Sequence, residues 1–161
     1  IIFTTGEYKM KSIGIIGAME EEVAILKEKM EDVRIIKKAS MDFYEGILAG
    51  KKVVVVRSGI GKVNAGICAQ ILADVFSVDA IINTGIAGSL NKNINIGDIV
   101  LSTDVVQHDM DATGFGYRKG QIPQMPVKVY IYNAIMMLII NKSLPINPCI
   151  IYINFSCEFT F

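Results

Sequence analysis

The chain has 161 residues, 52% of them hydrophobic and 20% charged, with sixteen basic and sixteen acidic side chains and no net charge. That length and apolar content are enough for one buried core, while the charge balance excludes the basic footprint of a nucleic-acid binder or of a protein held on an anionic membrane. The expected ligand is a small molecule, with no nucleic acid and no membrane as partner.

From Ile1 to Lys11 the chain carries Glu7 and Lys9 and lacks the continuous apolar stretch of a signal peptide. The first predicted strand is Ser12 to Gly17, a short apolar run of the kind buried on both faces and closed by a glycine. A helix is predicted next, because Met19, Val23, Leu26, Met30 and Val33 recur at spacings of four and three and share one helical face. Met41 to Leu48 and Lys52 to Arg57 read as two strands joined by a turn at Ala49-Gly50-Lys51. Ser58-Gly59-Ile60-Gly61 then breaks the strand, and a helix from about Val63 to Phe76 is expected to approach the sheet on Ala65, Gly66, Ala69 and Ala73, with Cys68 in the core. Ala80 to Thr84 reads as a strand ending at Gly85, and Asp98 to Val106 as another apolar run after the Asn-rich turn at Asn91 to Gly97.

This alternation of short strands and helices is that of an α/β layer fold. All fourteen glycines lie at or before Gly120, and the segment after Val127 no longer alternates. There Val129 to Ile140 is strongly apolar but too short to span a bilayer, and Asn133, Asn141, Lys142, Pro145 and Pro148 punctuate the stretch. A sticky or disordered tail is the expectation.

The turns after Ile16, Arg57 and Thr84 mark the ends of three strands, and ligands of α/β sheets bind at the carboxyl ends of strands. No GxGxxG is present, and Gly61-Lys62 lacks the remainder of a Walker A loop, so a phosphate cradle is excluded. Glu20 and Glu21 read as a solvated first turn favoured by the helix dipole. At about 100° per residue, Glu22 is the acid nearest the apolar face, so it should lean into the crevice, where a partly desolvated carboxylate can act as a base. His108, Asp109 and Asp111 read as a hydrogen-bonded loop around the single histidine, not as a metal site. Arg57 is expected to pair with a carboxylate. Cys68, Cys149 and Cys157 are odd in number and form no CxxC pair, which fits a reduced, cytoplasmic compartment.

The runs SIGIIGAMEEEV from Ser12, SGIGKVNAG from Ser58, INTGIAGSL from Ile82 and GDIVLSTDVVQHDMDATGFGYRKGQIPQMP from Gly97 together resemble the bacterial methylthioadenosine/S-adenosylhomocysteine nucleosidases. The resemblance covers Lys11 to Val127, about the first half of such an enzyme. It implies an incomplete three-layer α/β/α sandwich with a mixed central sheet, nucleoside phosphorylase-like, forming a homodimer. The implied activity is hydrolysis of the bond between adenine and thioribose, without cofactor or metal.

Carried over by motif, Glu22 activates the attacking water, Met19 and Ile60 line the pocket, and Ala87-Gly88 contacts the nucleoside. Phe115 and Pro123 match positions that reach across the dimer to cover the neighbouring subunit's thioalkyl group. Ile86, Ser89 and Ala112 are mild departures from the family pattern. A larger departure follows Val127, where the family's Met-Glu motif for the ribose hydroxyls and its later Asp that protonates adenine have no counterpart; the acid there is Glu158.

Two further readings follow. One is a non-catalytic nucleoside-binding remnant. The other is a nucleoside phosphorylase, which would need an arginine cluster where the chain has Arg34, Arg57 and Arg118. By domain, residues 10–127 are the N-terminal part of a nucleosidase domain. Residues 128–161 read as an atypical, frameshifted tail, because Ile, Asn, Lys, Tyr and Phe are what AT-rich codons specify out of frame. Residues 1–9 read as a non-native extension before Met10-Lys11, with Gly6-Glu7 as a translated ribosome-binding site.

Overall fold

The computed structural model describes residues 11–87, 93, 95–101, 104–105, 109–125, 129–130 and 134–140. In chain order the strands and helices are β1 (Ser12–Gly17), α1 (Glu20–Glu28), β2 (Glu31–Lys38), β3 (Met41–Leu48), β4 (Lys51–Arg57), α2 (Lys62–Asp74), β5 (Ala80–Ala87), β6 (Ile99–Leu101), β7 (Asp104–Val105), β8 (Val129–Tyr130) and β9 (Ala134–Ile140). A short 3-10 turn occupies Thr113–Phe115.

The main sheet has seven strands in the order β2-β3-β4-β1-β5-β9-β6, and β7 pairs with β8 in a separate ribbon. Strand β1 lies parallel to both β4 and β5, and β9 runs parallel to β5. The β2-β3 and β3-β4 pairs are antiparallel hairpins. Both turn through two residues at positive φ, Ala39 and Ser40 in one and Ala49 and Gly50 in the other. That backbone matches the right-handed twist of the strands, at a cost of about 1 kcal/mol for each non-glycine residue so held.

Alternation along the central strands sorts two cores. Ile16, Phe43, Val54 and Val56 pack with Cys68 and Leu72 of α2 on one face, while Ile15, Val53 and Val55 pack with Val23 of α1 and with Met30 on the other. The mixed sheet between two helical layers is the three-layer α/β/α arrangement. The apolar run Val53-Val54-Val55-Val56 is buried on both faces, as a central strand requires. Phe43 stacks on Phe76 with centroids 5.0 Å apart, closing the end of α2 onto the sheet.

Several elements differ from the sequence reading. Helix α1 stops at Glu28 with Lys29 as its C-cap, so Val33 lies not on its apolar face but on β2, 42% exposed. The spacing of four and three persists past the helix by coincidence. Ile35 and Ile36 are β-branched and pair with Tyr44 and Phe43 of β3, Val33 lies in the register shift between Glu31 and Arg34, and Gly46 leaves room for the crossing: a Cβ there would meet the Glu31 carbonyl at 2.6 Å.

On α2 the face toward the sheet is Ala65, Cys68 and Leu72, with Ala69 beside them; Gly66 and Ala73 point to solvent. Strand β5 does not stop at Thr84 but runs through Gly85 and Ile86 to Ala87, held by β9. The run Asp98 to Val106 divides into β6 and β7, which join different sheets.

The α/β pattern also continues after Val127, because Ala134–Ile140 enters the main sheet between β5 and β6 instead of forming a disordered tail. A seven-residue apolar strand buries its backbone groups by pairing on both edges, which offsets its lack of polar residues. Among the described residues no helix is long and apolar enough to cross a membrane. Residues 1–10 and 141–161, with the readings made of them, lie outside the described residues.

The start of β1 is pinned by Asp79, whose Oδ2 accepts the amide protons of Lys11 at 2.7 Å and Ser12 at 2.9 Å. The bond from Ser12, then that from Lys11, holds the carboxyl below its ordinary value of 3.8. A carboxyl depressed on folding contributes stability above its unfolded pKa and loses it as pH falls through the folded value. Asp79→Asn should therefore lower stability at neutral pH and flatten its fall in acid, as measured by urea midpoints between pH 3 and 7. An unchanged acid limb would contradict this.

Candidate functional site

Because β1 pairs in parallel with β4 and β5, the register Gly17 to Arg57 and Ile16 to Asn83 brings their carboxyl ends to one edge of the sheet. Ser58 leaves β4 and donates its amide to the Gly17 carbonyl at 2.9 Å, joining the two exits. Met19 is the N-cap of α1, in extended conformation and 36% exposed. Glu22 is the third residue of that helix.

Glu22 behaves as its helical position predicts. Its Oε2 accepts the amide protons of Ala18 at 2.6 Å and Met19 at 3.0 Å, the second being the return half of a capping box. Its Oε1 accepts the amide proton of Ile86, 64 residues away, at 3.2 Å. One carboxylate thus ties the exit of β1 to the end of β5, fixed wholly by backbone donors. Oε2 is filled by two bonds, and Oε1, with one long bond, keeps a lone pair for a further hydrogen-bonding partner.

Two glycines make room for it. A Cβ on Gly85 would lie 2.9 Å from Glu22 Oε1, and one on Gly17 would lie 2.6 Å from Val23 Cγ1 and 3.0 Å from Glu22 Cβ. Gly85 was expected as a turn glycine. Its use is close approach, and only the fold, which carries α1 back over the end of β5, reveals it.

The turn after β4 presents Ile60. Gly59 and Gly61 both have positive φ, at 83° and 107°, and Asn64 Nδ2 donates to the Ile60 carbonyl at 2.8 Å. Ile60 itself is 64% exposed. Ala87 is the last residue of β5, next to the amide that Glu22 holds. Met19, Glu22, Ile60 and Ala87 therefore sit on turns and strand ends at the same edge; Gly88 lies outside the described residues.

Phe115 and Pro123 are not part of the hydrogen-bonded set around Glu22. Both are exposed, Phe115 to 86%, on a segment from Asp109 to Met125 that is hydrogen-bonded to itself: Gly120 N to Met110 O at 2.8 Å and Tyr117 N to Ala112 O at 3.4 Å.

The charged residues nearby are paired. Glu20, read as a solvated acid, receives Lys27 at 2.9 and 3.0 Å and Arg57 at 3.7 Å, while Glu21 is exposed. Lys27 also lies 4.5 Å from the Tyr44 ring centroid. Asp109 is bonded to Lys62. Asp111 takes the Thr113 hydroxyl and amide, which hold its carboxyl below the usual value. His108 lies outside the described residues, among which no three potential ligands converge as a metal site.

Adding a methyl at Gly85 should push the Glu22 carboxylate off the Ile86 amide. Gly85→Ala is expected to cost about 1–2 kcal/mol, the loss of one charge-assisted bond, and to cost much less in a Glu22→Ala background, where nothing remains to be displaced. Equal costs in both backgrounds, from urea unfolding, would mean that the glycine serves another contact.

Residues 12–145 match the phosphorylase superfamily. A methylthioadenosine/S-adenosylhomocysteine nucleosidase of Staphylococcus haemolyticus is 56% identical over 116 residues, 72% of this chain and 51% of that protein. The Colwellia psychrerythraea nucleosidase structure with adenine superposes with a TM-score of 0.74 at 48% identity, over 76% of this chain and 50% of that one. The Neisseria meningitidis nucleosidase with methylthio-immucillin-A gives 0.73 at 45% identity, over 75% and 52%. The chain spans about half the length of the curated relatives it matches. Residues 12–145 and the three-layer sheet they build show that the chain belongs to the phosphorylase superfamily.

Proposed function

We propose that the chain carries the water-activating side of a nucleosidase site, which hydrolyses the N-glycosidic bond of methylthioadenosine and S-adenosylhomocysteine and releases adenine. The observation that carries this reading is the Glu22 carboxylate, held by three backbone amides at the ends of β1 and β5 with Oε1 still able to accept. Similarity to enzymes whose structures hold adenine and a methylthio-nucleoside analogue supports the substrate class.

In this mechanism water attacks the anomeric carbon, Glu22 takes its proton, and the bond to adenine breaks with its electron pair leaving on the base. Met19 and Ile60 present apolar surface to the nucleoside, near Ala87 at the end of β5. Adenine departs readily only when protonated, and general acid assistance is worth roughly 10²- to 10⁴-fold.

Phosphorolysis is disfavoured by the arginines: Arg34 pairs with Glu45 at 3.2 Å and Arg57 with Glu20 at 3.7 Å. We place the protein in the cytoplasm as a homodimer in which Phe115 and Pro123 cover the neighbouring pocket. The exposure of Phe115, of Ile60 on the turn before α2, and of Val63 and Ile67 along α2 supports a covered surface, and a particle mass of 17.7 kDa in light scattering would argue against the dimer.

Adenine release from methylthioadenosine by the purified chain, without phosphate, tests the main reading. Turnover should fall at least 100-fold in Glu22→Gln. Activity that survives Glu22→Gln, or that needs phosphate, would overturn it.

A further inference from the structure

We propose that Lys62 is a positioning residue, whose ion pair with Asp109 sets the pose of the Asp109–Met125 segment, and with it Phe115, against the turn that presents Ile60. The ligand-binding part of this proposal rests on the nucleosidase reading; the tether itself does not.

Lys62 is the first residue of α2, immediately after Gly61 and two residues after Ile60. Its Nζ donates to both carboxylate oxygens of Asp109, at 2.6 and 2.7 Å, across 47 residues of chain. The two side chains are only 31% and 37% exposed, so the pair is drier than the Lys37–Asp42 pair on the sheet edge, at 72% and 51%. Contact with both oxygens holds the ammonium close to the whole carboxylate, which fixes the distance between the two segments.

What the pair holds is a preformed unit. From Asp109 onward the chain folds on itself: Asp111 clamps Thr113, the 3-10 turn ends at Gly116 in the left-handed region, Gln121 Nε2 donates to the Met125 carbonyl at 2.9 Å, and Ala112 is buried at 6% exposure. Such a unit moves as a body. Gripping it at its first residue therefore fixes where Phe115 stands relative to the turn that carries Ile60, and with it the side chain offered to the neighbouring pocket, through a residue outside the hydrogen-bonded set around Glu22.

Trypsin reads the tether directly, because Arg118 and Lys119 are exposed within the segment. In the full chain, Lys62→Met and Asp109→Asn should each speed cleavage after Arg118 and Lys119 about three- to fivefold, as loss of a half-buried pair allows. The double variant should be no faster than either single one, Lys62→Arg should remain near wild type, and 1 M salt should loosen wild type alone. Unchanged or simply additive rates would overturn the tether.

Calorimetry with methylthioadenosine supplies the second arm, with an expected three- to fivefold loss of affinity in Lys62→Met that Lys62→Arg restores. A loosened segment with unchanged affinity would overturn the role in ligand positioning. Absence of binding by wild type would defeat the nucleosidase reading, and the proteolysis result would still decide the tether.

Discussion

The parallel register of β1 between β4 and β5 is the constraint on which the rest depends. It levels the ends of β1 and β4, with β5 running on beyond them to Ala87, so that the three carboxyl ends lie on one side of the sheet, where strand exits leave backbone amides to be satisfied. Those amides must find acceptors. At the exits of β1 and β5 the acceptor is Glu22, and at the exit of β4 it is the Gly17 carbonyl. The site is thus first a solution to an accounting problem of the sheet, and the same bonds that satisfy the backbone hold a carboxylate still.

The register survives because both faces of the central strands are covered by different helices. Val54 and Val56 on the α2 side and Val53 and Val55 on the α1 side are each 3% exposed or less. Burying such a side chain stabilises by roughly 1.5–3 kcal/mol, and a one-residue slip would send the four valines to the wrong layers. Cys68 lies in the same core with no exposure, and burial pushes its thiol up to about 12. It behaves as a small apolar side chain in this setting.

Much of this was legible in the residues. The valine run, the glycine-terminated strands and the position of Glu22 on α1 follow from local periodicity, which depends on near neighbours. The readings that failed share one cause. Val33 kept the helical spacing of Met19, Val23, Leu26 and Met30, yet it lies in the register shift of β2, a strand whose later residues pair with β3. Gly66 and Ala73 are small and helical, yet a helix 13 residues long can turn only one face to a sheet, and Ala65, Cys68 and Leu72 have it. Ala134 to Ile140 looked detached because the strands that receive it, β5 and β6, lie some 35 to 55 residues earlier.

By itself the sequence determined the α/β class, the two helices, the turns after β1 and β4 and the place of Glu22 nearest the apolar face of α1, since each rests on periods of two or 3.6 residues and on glycine's freedom at turns. Only the tertiary structure decided what Glu22 touches, why Gly85 must be glycine, and that Lys62 meets Asp109. These are contacts between residues 47 to 64 positions apart, and no local pattern encodes the distance between two segments until the sheet has set them side by side.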